Sequence, residues 1–204
     1  MRKKLLSLAV LALLCVTGVR AQVDFSQMTW VVRAGFSMMH VGGDGISGTD
    51  AKAGYNATVE FNNPLGAIGE KGAYWGMSLG LGSRGFKAGK LKAMANNIQL
   101  SPFTFGWKIG VLDNFRIDPR VGVYASVDYA TKMKAGGGSI SWGDFADGLG
   151  VDRNAFDVGM NLGIGFWYDR FNLDLAYQQG FVNGFTDINS NKFGSFMLRL
   201  GMAF

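Results

Sequence analysis

Cysteine and histidine each occur once in the 204 residues, proline three times, and charged residues make up only 17% of the chain. A single cysteine excludes a disulfide framework. With one histidine beside it, the chain lacks the donor set from which zinc and haem sites are ordinarily built. Scarce proline alongside 31 glycines, with no Gly-X-Y period, excludes collagen, and 48% apolar residues exclude a disordered chain. No apolar run reaches the ~20 residues that a membrane-crossing helix needs. What remains is a glycine-rich, aromatic-rich chain of a length suited to one domain.

The first 21 residues read as a cleaved signal peptide. Arg2, Lys3 and Lys4 form a basic start, Leu5 to Val16 an apolar run, and Val19-Arg20-Ala21 a small-residue cleavage site before Gln22. A lipoprotein signal at Cys15 is disfavoured by bulky Leu14 just ahead of it, so the cysteine leaves with the peptide. Cleavage removes four basic residues and no acid, which takes the formal charge from +5 to +1. The high pI is therefore a property of the leader, and no basic stripe points to nucleic acid.

Residues 22–204 carry eight runs of period-two alternation, the signature of strands. Their apolar sets are Trp30 to Met38, Tyr55 to Phe61, Trp75 to Leu81, Ile98 to Ile109, Ile117 to Tyr129, Phe156 to Phe166, Phe171 to Tyr177 and Phe196 to Phe204. The fourth run changes parity at Ser101-Pro102, which predicts a bulge. Connections alternate in character. Residues 41–52, 83–92, 132–153 and 182–192 read as long polar loops, whereas Leu112-Asp113-Asn114 and Tyr168-Asp169-Arg170 read as tight turns. The segment 62–72 is longer than a tight turn.

A soluble eight-stranded barrel would also alternate, with its apolar face inward. Glycines decide against it. Gly35, Gly54, Gly76, Gly80, Gly122, Gly159, Gly163 and Gly165 fall on the polar face, where a cramped barrel interior needs small residues beside large ones. The apolar face must then look outward, into lipid. Aromatics gather at the strand ends near the tight turns, among them Trp30, Phe61, Tyr74, Trp75, Phe115, Trp167, Tyr168 and Phe171, in the manner of an interfacial girdle. We therefore expect an all-β, eight-stranded antiparallel up-and-down transmembrane barrel in the outer membrane of a Gram-negative bacterium.

The stretches "FDVGMNLGIGFWYDRFNLDLAYQQGF" and "VNGFTDINSNKFGSFMLRLGMAF", together with "NNIQLSPF", resemble the PorT-like outer-membrane β-barrel family of Bacteroidetes-type bacteria. The resemblance spans essentially residues 22–204 and implies the same barrel, with no catalytic residue carried over. Phe204, with Met202 and Leu200 at every second position before it, resembles the terminal signal read by the barrel assembly machinery.

Facing inward are five basic residues, Arg33, Lys108, Arg116, Arg120 and Arg199, and five acids, Glu60, Asp118, Asp128, Asp157 and Asp174. Unpaired charge in a narrow lumen is costly, so the balance predicts an ion-pair plug, with Tyr74, Tyr124 and Trp167 as large inward neighbours. Arg120 is expected to pair across the lumen with Glu60 or Asp157. In the 132–153 loop, Trp142 and Phe145 are the expected apolar anchors for a surface contact, and Asp144, Asp147 and Asp152 read as solvated acids without calcium-loop spacing. His40 and Ser37 lie on opposite faces of one strand, so no nucleophile–base pair forms and no enzyme is expected. No cofactor or metal is called for. The function read from sequence is a non-enzymatic barrel with a filled lumen, embedded in outer-membrane lipid and offering loops to a surface or periplasmic protein. A narrow porin-like channel is the alternative, and an accessory role in secretion or envelope assembly follows from the family resemblance alone.

Overall fold

The structure, a computed structural model, describes residues 28–43, 49–65, 72–135, 138–148, 150, 152–186 and 190–204. The expected leader at 1–21 lies outside them, as does most of the 62–72 connection. Nine strands and one helix are present among these residues. The strands are β1 (Thr29–Gly42), β2 (Lys52–Pro64), β3 (Gly72–Ala88), β4 (Leu91–Gly110), β5 (Phe115–Ala135), β6 (Gly138–Ile140), β7 (Phe156–Tyr168), β8 (Phe171–Asn183) and β9 (Lys192–Ala203), and the helix is α1 (Trp142–Gly148).

Every pairing is antiparallel. The strands run in the order β4-β3-β2-β1-β9-β8-β7-β5, and a β4–β5 pairing joins the two ends into a closed eight-stranded ring, with β6 hanging on β5 outside it. Within the ring, closure pairs every strand on both sides, the condition under which strands can cross a bilayer. No helix among the described residues is long and apolar enough to do so. The seam between β1 and β9 is sealed down to Trp30, whose N–H donates to the Phe204 carbonyl at 3.3 Å, while the Phe204 N–H donates back at 2.8 Å.

The alternation decides which way each residue looks. Phe36, Leu79, Val123, Leu162, Leu173 and Leu200 are exposed on the outer wall, with Phe36 at 77% and Leu162 at 52%. An apolar band running around the whole molecule far exceeds what a water-soluble surface carries. The register slips between Leu100 and Phe103, at the Ser101-Pro102 step, so the change of parity is a bulge.

Two connections differ from the sequence expectation. Residues 83–92 are no loop: β3 and β4 pair up to Ala88↔Leu91 and turn through Gly89-Lys90 alone, with Gly89 at φ 57. Residues 132–153 contain the end of β5, all of β6 and α1. Strands β3, β4 and β5 therefore project as a sheet past the level at which β7 begins opposite Val127. Their glycines and lysines looked loop-like by composition. Backbone pairing of β4 with β3 on one side and β5 on the other carries the strands through regardless, because ladder hydrogen bonds do not depend on side chains.

Candidate functional site

The lumen is filled in tiers, each tied to particular strands. At the turn end, Asp118 of β5 accepts hydrogen bonds from the Tyr74 hydroxyl at 3.0 Å and from Trp167 Nε1 at 3.1 Å. Lys108 lies over the rings of the same two residues, 5.3 Å from Tyr74 and 5.0 Å from Trp167. Arg33 binds Glu60 at 2.9 Å and donates through Nε to Asn172 at 3.0 Å. Arg116 is buried and donates to the Asp169 carbonyl in the turn. Tyr74 and Trp167 thus belong to the interior and not to the girdle.

At mid-barrel, Asp174 of β8 accepts from two arginines, Arg120 of β5 and Arg199 of β9, the latter through Nε at 2.7 Å. Arg199 also donates to Asn56 at 3.0 Å, and Arg120 stands 3.5 Å from Asp118. The expected partners of Arg120, Glu60 and Asp157, are displaced by Asp174 and Asp118: Glu60 is taken by Arg33, and Asp157 sits a tier higher. Sequence parity places all of these residues inside but not their heights, which follow from the stagger between strands. Space for the arginines comes from glycine. A methyl group at Gly163 would stand 3.1 Å from the Arg120 guanidinium, and one at Gly201 would stand 2.7 Å from Arg33 Cγ.

Toward the loop end, Asp157 accepts from the Tyr124 hydroxyl at 2.8 Å and from the Val182 N–H at 3.2 Å, and Arg84 stands 3.6 Å away. Asp128 is shared by Arg84, at 2.8 Å, and Arg153. All ten sequence-predicted charges therefore line the lumen, and two more join them. Arg84 and Arg153 were hidden in segments read as loops. With Arg84 the described lumen groups number six basic against five acidic, so the expected balance gives way to a positive excess, and Arg153 reaches Asp128 from above the wall. Arg153, above the barrel wall, has its pKa lowered to about 10, first by burial and then by Arg84.

Above the charges the inward face turns apolar. Trp142 of α1 is 1% exposed and packs against Phe86, Phe185 and Phe193, with ring centroids 5.7, 5.9 and 5.8 Å away, and Val41, Ala93, Ala95 and Met133 complete the cluster. Arg153 lies 4.8 Å over the Trp142 ring. Trp142 is therefore the centre of a cap and not the exposed anchor expected of it. In a seven-residue helix lying over an open mouth, a tryptophan finds more apolar surface beneath it than in water. Phe145 belongs to the same helix by backbone, and its side chain lies outside the described residues.

Small cavities remain between the described interior residues. A polar cavity of about 30 Å³ between Glu60, Ser101, Arg120, Asn161 and Arg199, and another of about 20 Å³ beside Arg84, Tyr124 and Asp157, would each hold a water or two. Among the described residues no three His, Cys, Asp or Glu side chains form a metal-binding group. His40 is stacked on the outer wall with Tyr177 and Phe196, at 6.2 and 6.4 Å. Ser37, by contrast, is buried on the inner face.

Phe204, Met202 and Leu200 lie on the closing strand. Phe204 and Leu200 are each 69% exposed, and Met202 is partly buried beside the turn carrying Arg170.

No protein-family profile and no curated protein sequence matches the chain. Solved structures do. Neisserial surface protein A (NspA) aligns over 86% of this chain and 97% of its own, at 11% identity and a TM-score of 0.51. The outer membrane enzyme PagL aligns over 84% of this chain and 98% of its own, at 10% identity and a TM-score of 0.50. The attachment invasion locus protein Ail of Yersinia pestis covers 87% of this chain and 99% of its own, at 16% identity and a TM-score of 0.44. At such identities the likeness concerns fold alone, and one of the neighbours is an enzyme. Closed ring, apolar exterior and the NspA and PagL alignments together give the chain the fold of the small eight-stranded outer-membrane β-barrels.

Proposed function

We propose that the protein is a non-enzymatic integral barrel of a Gram-negative outer membrane, with a shut lumen and a loop end that meets a protein partner. The observation that carries this reading is the double obstruction of the interior, by the Asp174-centred charge tiers and by the Trp142 cap. Its non-enzymatic character is supported by the separation of His40 and Ser37 across the wall, which leaves the sole imidazole without a hydroxyl nucleophile on its own strand face. With Trp142 inside the cap, the partner-facing surface is the loop end around the α1 segment. Residues 1–21 act as the export signal, and Phe204 as the residue read by the assembly machinery.

The test is conductance in planar bilayers: the purified protein is expected to give no steady current. A stable, ion-selective current would remove the plug and put the narrow channel in its place. An accessory role in secretion or envelope assembly rests on the sequence resemblance to PorT-like barrels, and recovery of envelope-assembly proteins by pull-down from native membranes would support it.

A further inference from the structure

On the projecting sheet the outward face carries lysines placed side by side. The register sets Lys87 of β3 opposite Lys92 of β4, and Lys92 opposite Lys134 of β5, so three ammonium-bearing residues form one row across three adjacent strands. Their chain neighbours Phe86, Ala93 and Met133 fill the inner cluster, which fixes the row on the outside. Lys132 is exposed two residues below Lys134 on the same face, and Lys90 is exposed in the turn above. Lys52 stands close by, its pKa lowered first by burial and then by repulsion from Lys87, Lys134 and Lys92.

Like charges directly opposite one another destabilise a sheet. None of these lysines takes part in an ion pair among the described residues. Asp50, the neighbouring acid, joins Lys87 through the backbone, accepting at 3.0 Å and donating at 2.8 Å. Among the described residues, the row is thus a block of positive charge with no ion-pair partner.

Its height suggests the counter-charge. Tyr129, 56% exposed on the outer wall, and Tyr55 are the last aromatic residues of β5 and β2 toward the loop end. Lys132 and Lys134 follow Tyr129 by three and five residues, roughly 10–17 Å along a tilted strand. Lysine stems can reach back several ångströms toward the interface. Ammonium groups there meet the headgroup layer that flanks a hydrocarbon core of ~30 Å.

We propose that the Lys87–Lys92–Lys134 row, extended by Lys132, binds the phosphate groups of lipid headgroups in the leaflet around the loop end of the barrel. This rests on the membrane reading given above. A bound phosphate lying between neighbouring lysines removes the repulsion that the bare sheet carries. The lipid is then an annular ligand of one sector of the wall, with β7, β8 and β9 offering no equivalent row.

The experiment compares the purified protein in phosphatidylcholine vesicles containing bisphosphorylated lipid A, the same vesicles containing dephosphorylated lipid A, and plain vesicles supplied with inorganic phosphate. Insertion is read from the heat-dependent gel shift, and binding from lipid retained through repurification. Wild type should retain the phosphorylated form selectively. Lys87→Gln/Lys92→Gln/Lys134→Gln should lose retention roughly 100-fold, at about fivefold per lysine near an anionic surface, while still showing the gel shift. Lys87→Arg/Lys92→Arg/Lys134→Arg should retain the lipid, which separates charge from fold. Insertion with equal retention of both lipid A forms overturns the proposal alone. Competition by millimolar inorganic phosphate that abolishes retention overturns the assignment to lipid. Failure of wild type to insert overturns the membrane reading together with it.

Discussion

Replacing Asp174 with asparagine will destabilise the barrel more than replacing Arg120 with methionine, although the two residues form one ion pair. The carboxylate is 0% exposed and serves both Arg120 and Arg199. Neutralising it leaves two guanidiniums in a closed space, with Asn56 3.0 Å from one and Asp118 3.5 Å from the other. Removing Arg120 is milder. Asp174 stays bonded to Arg199 at 2.7 Å, and Asp118 keeps Tyr74 and Trp167 as donors. Breaking a buried pair costs ~3–5 kcal/mol. Arg120→Met then belongs near the lower figure and Asp174→Asn at or above the upper. A difference of ~2 kcal/mol corresponds to about 30-fold in the folding equilibrium. The double variant should fall short of the sum by ~1–3 kcal/mol, the coupling expected of groups in one network. Urea unfolding in phospholipid vesicles, followed by tryptophan fluorescence, measures all three. An Asp174→Asn midpoint equal to or above that of Arg120→Met would refute a network organised around this carboxylate.

Leu162→Arg and Val123→Arg, on the outer wall near mid-height, should each lower stability in vesicles by ~2–4 kcal/mol; wild-type stability for both would invert the assignment of faces. Trp142→Ala empties the cap and should cost ~3–5 kcal/mol locally, read as faster protease cleavage of the 136–153 segment at an unchanged gel shift. Unchanged cleavage would show that the cap does not hold the mouth. Phe204→Ala keeps both backbone bonds to Trp30 but removes the ring. It should reduce the amount reaching the outer membrane while leaving the stability of refolded protein unchanged, and equal cellular levels would remove the ring as an assembly signal.

Much of the wall was legible because lipid and lumen impose opposite demands on alternate residues. Leu162 and Gly163 could be placed from parity alone, as could all ten lumen charges. Partnership was not legible. Arg120 and Asp174 are 54 residues apart in sequence, and their meeting depends on strand stagger, which leaves no local trace. The loop end failed for another reason. Arg84, Phe86 and Trp142 lie among glycines and lysines whose composition says loop, yet they sit on strands and a helix held by neighbours that a one-dimensional reading does not see. The lysine row escaped in the same way, since Lys87, Lys92 and Lys134 become neighbours only once the hairpin is known to turn at Gly89.

The β1–β9 seam has a kinetic consequence. Seven of the eight seams in the ring join consecutive barrel strands, so they close through comparatively local loops. The eighth joins Val31 to Ala203, across nearly the whole described chain. Contacts of such separation form late, since the intervening segments must be ordered first. Until β9 is made, β1 presents an edge whose N–H and C=O groups have no partner, and hydrocarbon offers them none. Stable insertion before closure is therefore costly, at several kcal/mol for each unpaired backbone group. Closure of the β1–β9 seam must then either precede entry into hydrocarbon, with the apolar band exposed to aggregation, or proceed together with it.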